Sequence, residues 1–300
     1  GHAVIVGNGP APSAQLLAAL LADKPLLLCA DGGANTLHGL GHCPAAVVGD
    51  LDSADDSLRQ IWPTTQRVRV DADDTGTDLQ KVLRHAQTIG IKRAALVGVT
   101  GGRTDHTLWN LTLLRAFADE LDLCIVDDDC LIRRIPESIS FAAPVGLTLS
   151  LCPLSGDATG ITTEGLRWPL TDEALTPGER DGISNEVVAS PVKIQVRSGE
   201  LLLVIQREGA GSDLSLIGAT GKSGPRQPRR GRARRGRAKS AGPRRCQVTA
   251  ISGRGRLRRQ SKPGQQFIQV FHLKRWRRRS LRRSAVGVEP TARQASCGCP

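Results

Sequence analysis

Methionine is absent from all 300 residues, so Gly1 is read as an arbitrary start rather than a natural one. No apolar run approaches the roughly 18 residues a bilayer crossing needs. The best candidate, Leu16 to Ala30, is cut by Asp23, Lys24 and Pro25. A charged amino-terminal region with a cleavage site is missing too, so no secretory leader is expected. The cysteines before residue 207 (Cys29, Cys43, Cys124, Cys130 and Cys152) are odd in number and lack paired metal-ligand spacing. That argues for reduced thiols in a cytoplasmic protein rather than a disulfide framework.

Acidic residues are nearly missing from one part of the chain. Residues 207–300 hold 25 of the 41 Lys and Arg but only three acids (Glu208, Asp213, Glu289), so they carry +22 while residues 1–206 carry −10. The formal +12 of the whole chain therefore describes neither part, and the sign asymmetry is the informative quantity. From Gly209 onward Arg, Gly, Ser and Pro dominate. Too few apolar residues remain there to offset chain ordering, and a disordered basic tail is expected.

The first 206 residues are ample for a buried core. Short β-rich runs at 3–6, 26–30, 46–48, 68–70, 94–99 and 123–126 alternate with helical patterns, the mark of βαβ units and a parallel sheet. Between 78 and 89, Leu79, Val82, Leu83, Ala86 and Ile89 fall on one helical face with Lys81 and Arg84 off it. A second helix, from Thr104 to about Ala118, is expected to bury Leu108, Leu111 and Leu114. After Asp129 the period becomes two: Val145, Leu147, Leu149 and Leu151, then Val192, Ile194 and Val196, alternate with polar or small residues. The reading is an α/β, parallel-sheet, Rossmann-like domain over 1–128, a small antiparallel β-sandwich over 129–206 and the tail over 207–300.

Five acids fall where strands end or helices begin: Asp31 in ADGGAN, Asp50 and Asp52 in GDLDS, Asp78 in TGTD and Asp105 in GGRTDHTLWN. Ligand crevices of open parallel sheets lie beyond the carboxyl ends of the strands, so these acids should converge on one rim. Carboxylates gathered there require cations to offset them. Oxygen-only donors are what Mg²⁺ selects, usually together with substrate phosphates. The absence of Cys or His among them speaks against zinc. Arg103, with the amides of Gly101, Gly102 and the helix start, can hold phosphate oxygens.

Other motifs fail. Gly7-Asn8-Gly9 follows a strand, but Pro12 breaks the dinucleotide fingerprint. Gly221-Lys222-Ser223 lacks the earlier glycine of a phosphate-binding loop, Leu216 standing in its place. The sequon Asn110-Leu111-Thr112 lies in a helix pattern and is not expected to be glycosylated.

ADGGAN, GDLDS, TDLQK and GGRTDHTLWN, in this order and spacing, with Gly182-Ile183-Ser184-Asn185-Glu186 ahead of a last strand at 201–205, resemble the thiamine pyrophosphokinase family over residues 3–206. The resemblance implies Mg²⁺-dependent transfer of an intact diphosphate from ATP to the thiamine hydroxyl, with AMP released, at a site between two domains completed across a homodimer. It would make Asp31, Asp50, Asp52 and Asp78 the metal and substrate-positioning residues. Gly101, Gly102, Arg103, Asp105 and His106, with Thr77 and Lys81, would serve the polyphosphate and its metal, and Ser184, Asn185 and the Asp74 position would serve thiamine. Asp52 and Asp78 are the candidate general bases. One element departs from the family: Asp73-Asp74-Thr75 stands where it commonly has Asp-Gln-Asp.

A competing class is a nucleic-acid-binding protein acting through RRGRARRGR and KRWRRR. Such runs contact polyanions nonspecifically whatever their task. The abrupt change of composition after the last expected strand also admits a tail that is not native coding sequence.

Overall fold

The computed structural model describes residues 1–55, 57–70 and 76–207. The basic tail beyond Arg207 and the Asp73-Asp74-Thr75 segment thus lie outside the described residues. Six parallel strands are β1 (His2–Val6), β2 (Leu26–Ala30), β3 (Ala46–Gly49), β4 (Gln66–Arg69), β5 (Arg93–Val97) and β6 (Asp122–Val126). Helices α1 (Ala14–Leu21), α2 (Gly33–Gly39), α3 (Leu58–Ile61), α4 (Asp78–Thr88) and α5 (Thr104–Ala116) come between them.

Strand order across this half is β6-β5-β1-β2-β3-β4. The chain walks outward from β1 to β4, then returns to the other side of β1 as β5. The reversal leaves a crevice between the ends of β1 and β5, where α/β sheets bind ligands. Apart from the edge strand β4, the strands are buried on both faces over most of their length, as parallel sheets require. Leu16, Leu17, Leu20 and Leu37 of α1 and α2 cover one face with Val4, Val6, Cys29 and Val97. Leu79, Val82, Leu83, Leu113 and Leu114 of α4 and α5 cover the other with Ile5, Leu28 and Leu96.

Antiparallel strands continue the sheet without a break. They are β7 (Cys130–Ile135), β9 (Thr148–Pro153), β12 (Gly182–Glu186) and β14 (Leu201–Gln206), in the order β12-β9-β14-β7-β6. A second sheet of β8 (Ser138–Phe141), β10 (Ala158–Glu164), β11 (Glu173–Leu175) and β13 (Val192–Gln195) faces them. Leu149, Leu151, Leu201 and Leu203 share one core with Ile139, Ile161, Leu175, Val192 and Ile194, so the fold is mixed α/β with a second, all-β part.

Four expectations are corrected. Leu108 is 62% exposed because the first turns of α5 project beyond the sheet, and burial begins at Asn110. Ile89 is 46% exposed, since α4 ends at Thr88 and Ile89 only caps it. Val145 precedes β9 in a turn and is 68% exposed. Lys81, expected outside the buried face, is buried because its ammonium is neutralised by Asp78 at 3.0 Å. Leu83→Ala should cost about 2–5 kcal/mol in denaturant unfolding, and Leu108→Ala less than about 0.5; equal costs would contradict this packing.

Candidate active site

The first two motifs build one structure. Asp31 follows β2 and is fully buried; its carboxylate accepts the N–H of Ser53 at 2.7 Å and of Ala54 at 3.1 Å. Burial pushes this carboxyl above its usual range, opposed by those amides and reinforced by Asp78. Asn35, in the same motif, donates to Ser53 O at 3.0 Å and accepts from Asp55 N at 3.1 Å. ADGGAN thus holds the backbone of GDLDS in place. Between the two acids of that loop Leu51 adopts φ 64°, a left-handed conformation a leucine rarely takes.

That bend brings Asp50 and Asp52 to Asp31. One carboxylate oxygen from each lies within 4.8 Å of the others. Oδ1 of Asp50 is buried there without a hydrogen-bond partner. Like charges so close, with one oxygen orphaned, fit a hard divalent cation such as Mg²⁺ better than any arrangement without one. The cluster contains no sulfur or imidazole.

Beside it, at the crevice between β1 and β5, is a cavity of about 500 Å³. Thr77 and Asp78 line it from the start of α4, and Gly101, Gly102, Arg103 and His106 from the start of α5. Thr77 caps α4 in a reciprocal pair with Gln80: Thr77 N donates to Gln80 Oε1 at 3.0 Å, and Gln80 N to Thr77 Oγ1 at 3.4 Å. The Trp109 indole N–H adds a third bond, to Gln80 Oε1, at 3.1 Å, joining the two helices. Lys81 pairs with Asp78 beneath the cap. Arg103 lies exposed with its guanidinium on Asp105 at 2.5 Å, and this hydrogen bond holds the Asp105 carboxyl down to about 2.

Of the five acids, then, Asp31, Asp50 and Asp52 cluster, Asp78 lines the adjoining cavity, and Asp105 is held beside it by Arg103. Ser184 and Asn185 belong to β12, at the far edge of the long sheet. Ser184 is exposed at φ 57°. The Asn185 amide is committed to the backbone, accepting Trp168 N at 3.1 Å and Glu186 N at 2.9 Å and donating to Trp168 O at 2.8 Å.

The sequence marks Gly7-Asn8-Gly9 only as a broken dinucleotide fingerprint and Asn110 only as part of a sequon, and gives Pro10, Gly98 and Val99 no site role, yet all line the cavity. The glycines serve close approach: a Cβ at Gly7 or Gly9 would fall 2.6 Å from Gly98 O, and one at Gly33 2.5 Å from Val6 O. The legible signal was position, since Gly7 directly follows a strand. Fold and site together define a doubly wound α/β protein with a glycine-lined crevice beside a carboxylate cluster suited to a hard cation.

Comparison with known proteins narrows this. Residues 17–125 match the family model described as thiamin pyrophosphokinase, catalytic domain, and residues 136–201 that described as thiamin pyrophosphokinase, vitamin B1 binding domain. Thiamine pyrophosphokinase 2 of Oryza sativa subsp. japonica is 28% identical over 222 residues, 65% of this chain and 82% of its own. Thiamine pyrophosphokinase of Bacillus subtilis is 28% identical over 205 residues, 67% of this chain and 96% of its own. The crystal structure of the Bacillus subtilis protein superposes with a TM-score of 0.63 at 25% identity, covering 69% of this chain and all of that one. The chain belongs to the thiamine pyrophosphokinase family and is an enzyme of that family.

Electrostatic frustration at the cluster is testable in the absence of metal. With a chelator present, Asp50→Asn should stabilise the protein by about 0.5–2 kcal/mol by removing one like charge. Chemical denaturation reads this, and a loss of stability on the scale of a core truncation would contradict the cluster.

Proposed function

We propose that this chain transfers the terminal diphosphate of ATP to the hydroxyl of thiamine, giving thiamine diphosphate and AMP, with Mg²⁺ required. The observation that carries the reading is the convergence of Asp31, Asp50 and Asp52 beside the cavity lined by Asp78 and Arg103, in a chain matching both the catalytic and the vitamin B1 binding domains of the family.

Residues 1–128 would hold ATP and residues 129–206 thiamine. The thiamine hydroxyl oxygen bonds to the β-phosphorus as the bond from that phosphorus to the α,β-bridging oxygen breaks, and AMP leaves with the electron pair. The hydroxyl proton goes to a carboxylate, Asp52 or Asp78. Asp31, Asp50 and Asp52 would hold Mg²⁺, with Asp78 beside them; when bound, the ion supplies neutralisation of phosphate oxygens. Arg103 and the first amides of α5 would take the remaining phosphate charge, with Asp105 steering Arg103, Thr77 and His106 framing the cavity, and Lys81 serving through Asp78. Such transfers depend on positioning and charge neutralisation more than on covalent work by the protein. Ser184 would face the thiamine rings, and Asn185 would act through the Trp168 segment it pins.

A homodimer in the cytoplasm is part of the proposal. Among the described residues no helix is long and apolar enough to cross a membrane. Nucleic-acid binding through the basic tail is not favoured, because both family matches lie within residues 17–201.

The full chain given ATP, Mg²⁺ and thiamine should release AMP, and Asp50→Asn or Asp78→Asn should lower turnover by on the order of 10²-fold or more. Nucleotide analysis checks this; ADP as the product would overturn diphosphate transfer. A pH dependence follows from Asp31, whose folded pKa is raised. In metal-free protein its contribution to stability is present below the unfolded carboxylate range and lost as pH rises through the folded value. Metal binding needs the ionised form, so the Tm gain from added Mg²⁺ should be small at about pH 4.5 and larger at about pH 7.5. A gain that does not grow with pH would count against Asp31 as a ligand.

A further inference from the structure

Two loops form one wall of the cavity, and neither is held by regular structure of its own. The loop after β1, from Gly7, and the loop after β5, from Gly98, lie against each other: Gly9 N–H donates to Gly98 O at 2.7 Å, and a Cβ on Gly101 would stand 3.1 Å from Pro10 Cγ. Their common anchor is the turn between β6 and β7, Asp127-Asp128-Asp129. Asp128 accepts Ser13 N–H at 2.8 Å and Ser13 Oγ–H at 2.5 Å. Ser13 Oγ in turn accepts Leu16 N–H at 3.1 Å as the cap of α1, so Asp128 fixes the end of the first loop. Asp127 accepts the hydroxyl of Thr100, which lies between the cavity residues Val99 and Gly101. Consecutive acids thus grip one loop each.

The turn is itself clamped. Asp127 N–H donates to Cys130 O at 2.8 Å, Arg207 Nη1 to Asp127 O at 2.7 Å, and Arg207 N–H to Asp129 O at 2.8 Å. Arg207 is buried and follows β14, the strand that pairs with both β7 and β9. The last strand of the all-β part is tied through one turn to the wall of the cavity. Burial pushes the Asp127 carboxyl above its usual range, with the Thr100 hydrogen bond and the Arg207 charge opposing. Asp127, Asp128 and Asp129 are not among the residues that line the cavity, so their effect on it would pass through the loops that Asp127 and Asp128 hold.

We propose that Asp127 and Asp128 are positioning residues that set the two glycine-rich loops for the nucleotide; the inference rests on the diphosphate transfer proposed above. Thr100→Val removes one grip and keeps the shape, Asp128→Ala removes the other, and Asp128→Asn keeps an acceptor for Ser13 N–H. Steady-state kinetics, calorimetric titration with ATP and thermal melting are measured on the full chain. Thr100→Val and Asp128→Ala should raise KM for ATP and the Kd for ATP roughly tenfold, the worth of one charge-assisted hydrogen bond, with KM for thiamine within about twofold. Asp128→Asn should stay within about threefold of the unsubstituted chain.

A lowered Tm with KM and Kd for ATP unchanged would overturn the proposal. So would equal losses for both substrates, or Asp128→Asn as poor as Asp128→Ala. If Asp128→Ala fails to fold, Thr100→Val decides alone. An unsubstituted chain that binds ATP but releases no AMP would sink the reaction and leave the titration to decide the loop grip, and one that binds no ATP would sink both.

Discussion

The buried carboxylate of Asp31 is the constraint on which the site depends. A carboxylate out of water is tolerable only if hydrogen bonds replace its hydration. The amides of Ser53 and Ala54 do so, each such charge-assisted bond being worth about 1.5–3 kcal/mol. Those bonds also fix the loop that carries Asp50 and Asp52. The left-handed Leu51 between them costs about 1–2 kcal/mol, which the hydrogen bonds that the loop makes to Asp31 and with Asn35 can offset. Strain is thereby held at the place where three like charges must meet, as expected where a ligand rather than the fold is being served.

The crevice is built by the same economy of backbone. With β1 between β2 and β5, the loops leaving β1 and β5 pass within hydrogen-bond distance, and side chains at Gly7 or Gly9 would block them. The segment Gly7-Asn8-Gly9 resembles a dinucleotide fingerprint only because both solve the problem of close backbone approach after a first strand. Its glycines face the neighbouring loop, and the space they leave is the cavity floor.

Legibility followed locality. Asp31, Asp50, Asp52, Asp78 and Arg103 were readable because each sits a fixed step beyond a strand or at a helix start, positions that periodicity alone defines. The alternation at 147–151 and 192–196 marked a sandwich for the same reason. Leu108, Ile89 and Lys81 were misread because their burial depends on how far a helix overhangs the sheet and on which partner meets an ammonium, and a helical wheel encodes neither. The Asn185 amide illustrates what a sequence does not encode: the family resemblance implies thiamine contact there, and only the fold shows Trp168, 17 residues earlier, on both of its polar ends.

Net charge misleads here because electrostatics at a site is local. At physiological ionic strength, exposed charges more than about 8 Å apart are largely screened from each other, while the three clustered carboxylates have oxygens within 4.8 Å. A cation entering the rim responds to those carboxylates, not to the formal +12 of the sequence. In the proposed reaction a polyphosphate would be met by such an ion together with Arg103 and the start of α5, since the cluster alone would repel it. On the proposed reading the acidic rim could take a cation by itself, whereas a polyanion would need that cation as well as the basic rim, which is why the reading is of a cation-dependent transfer.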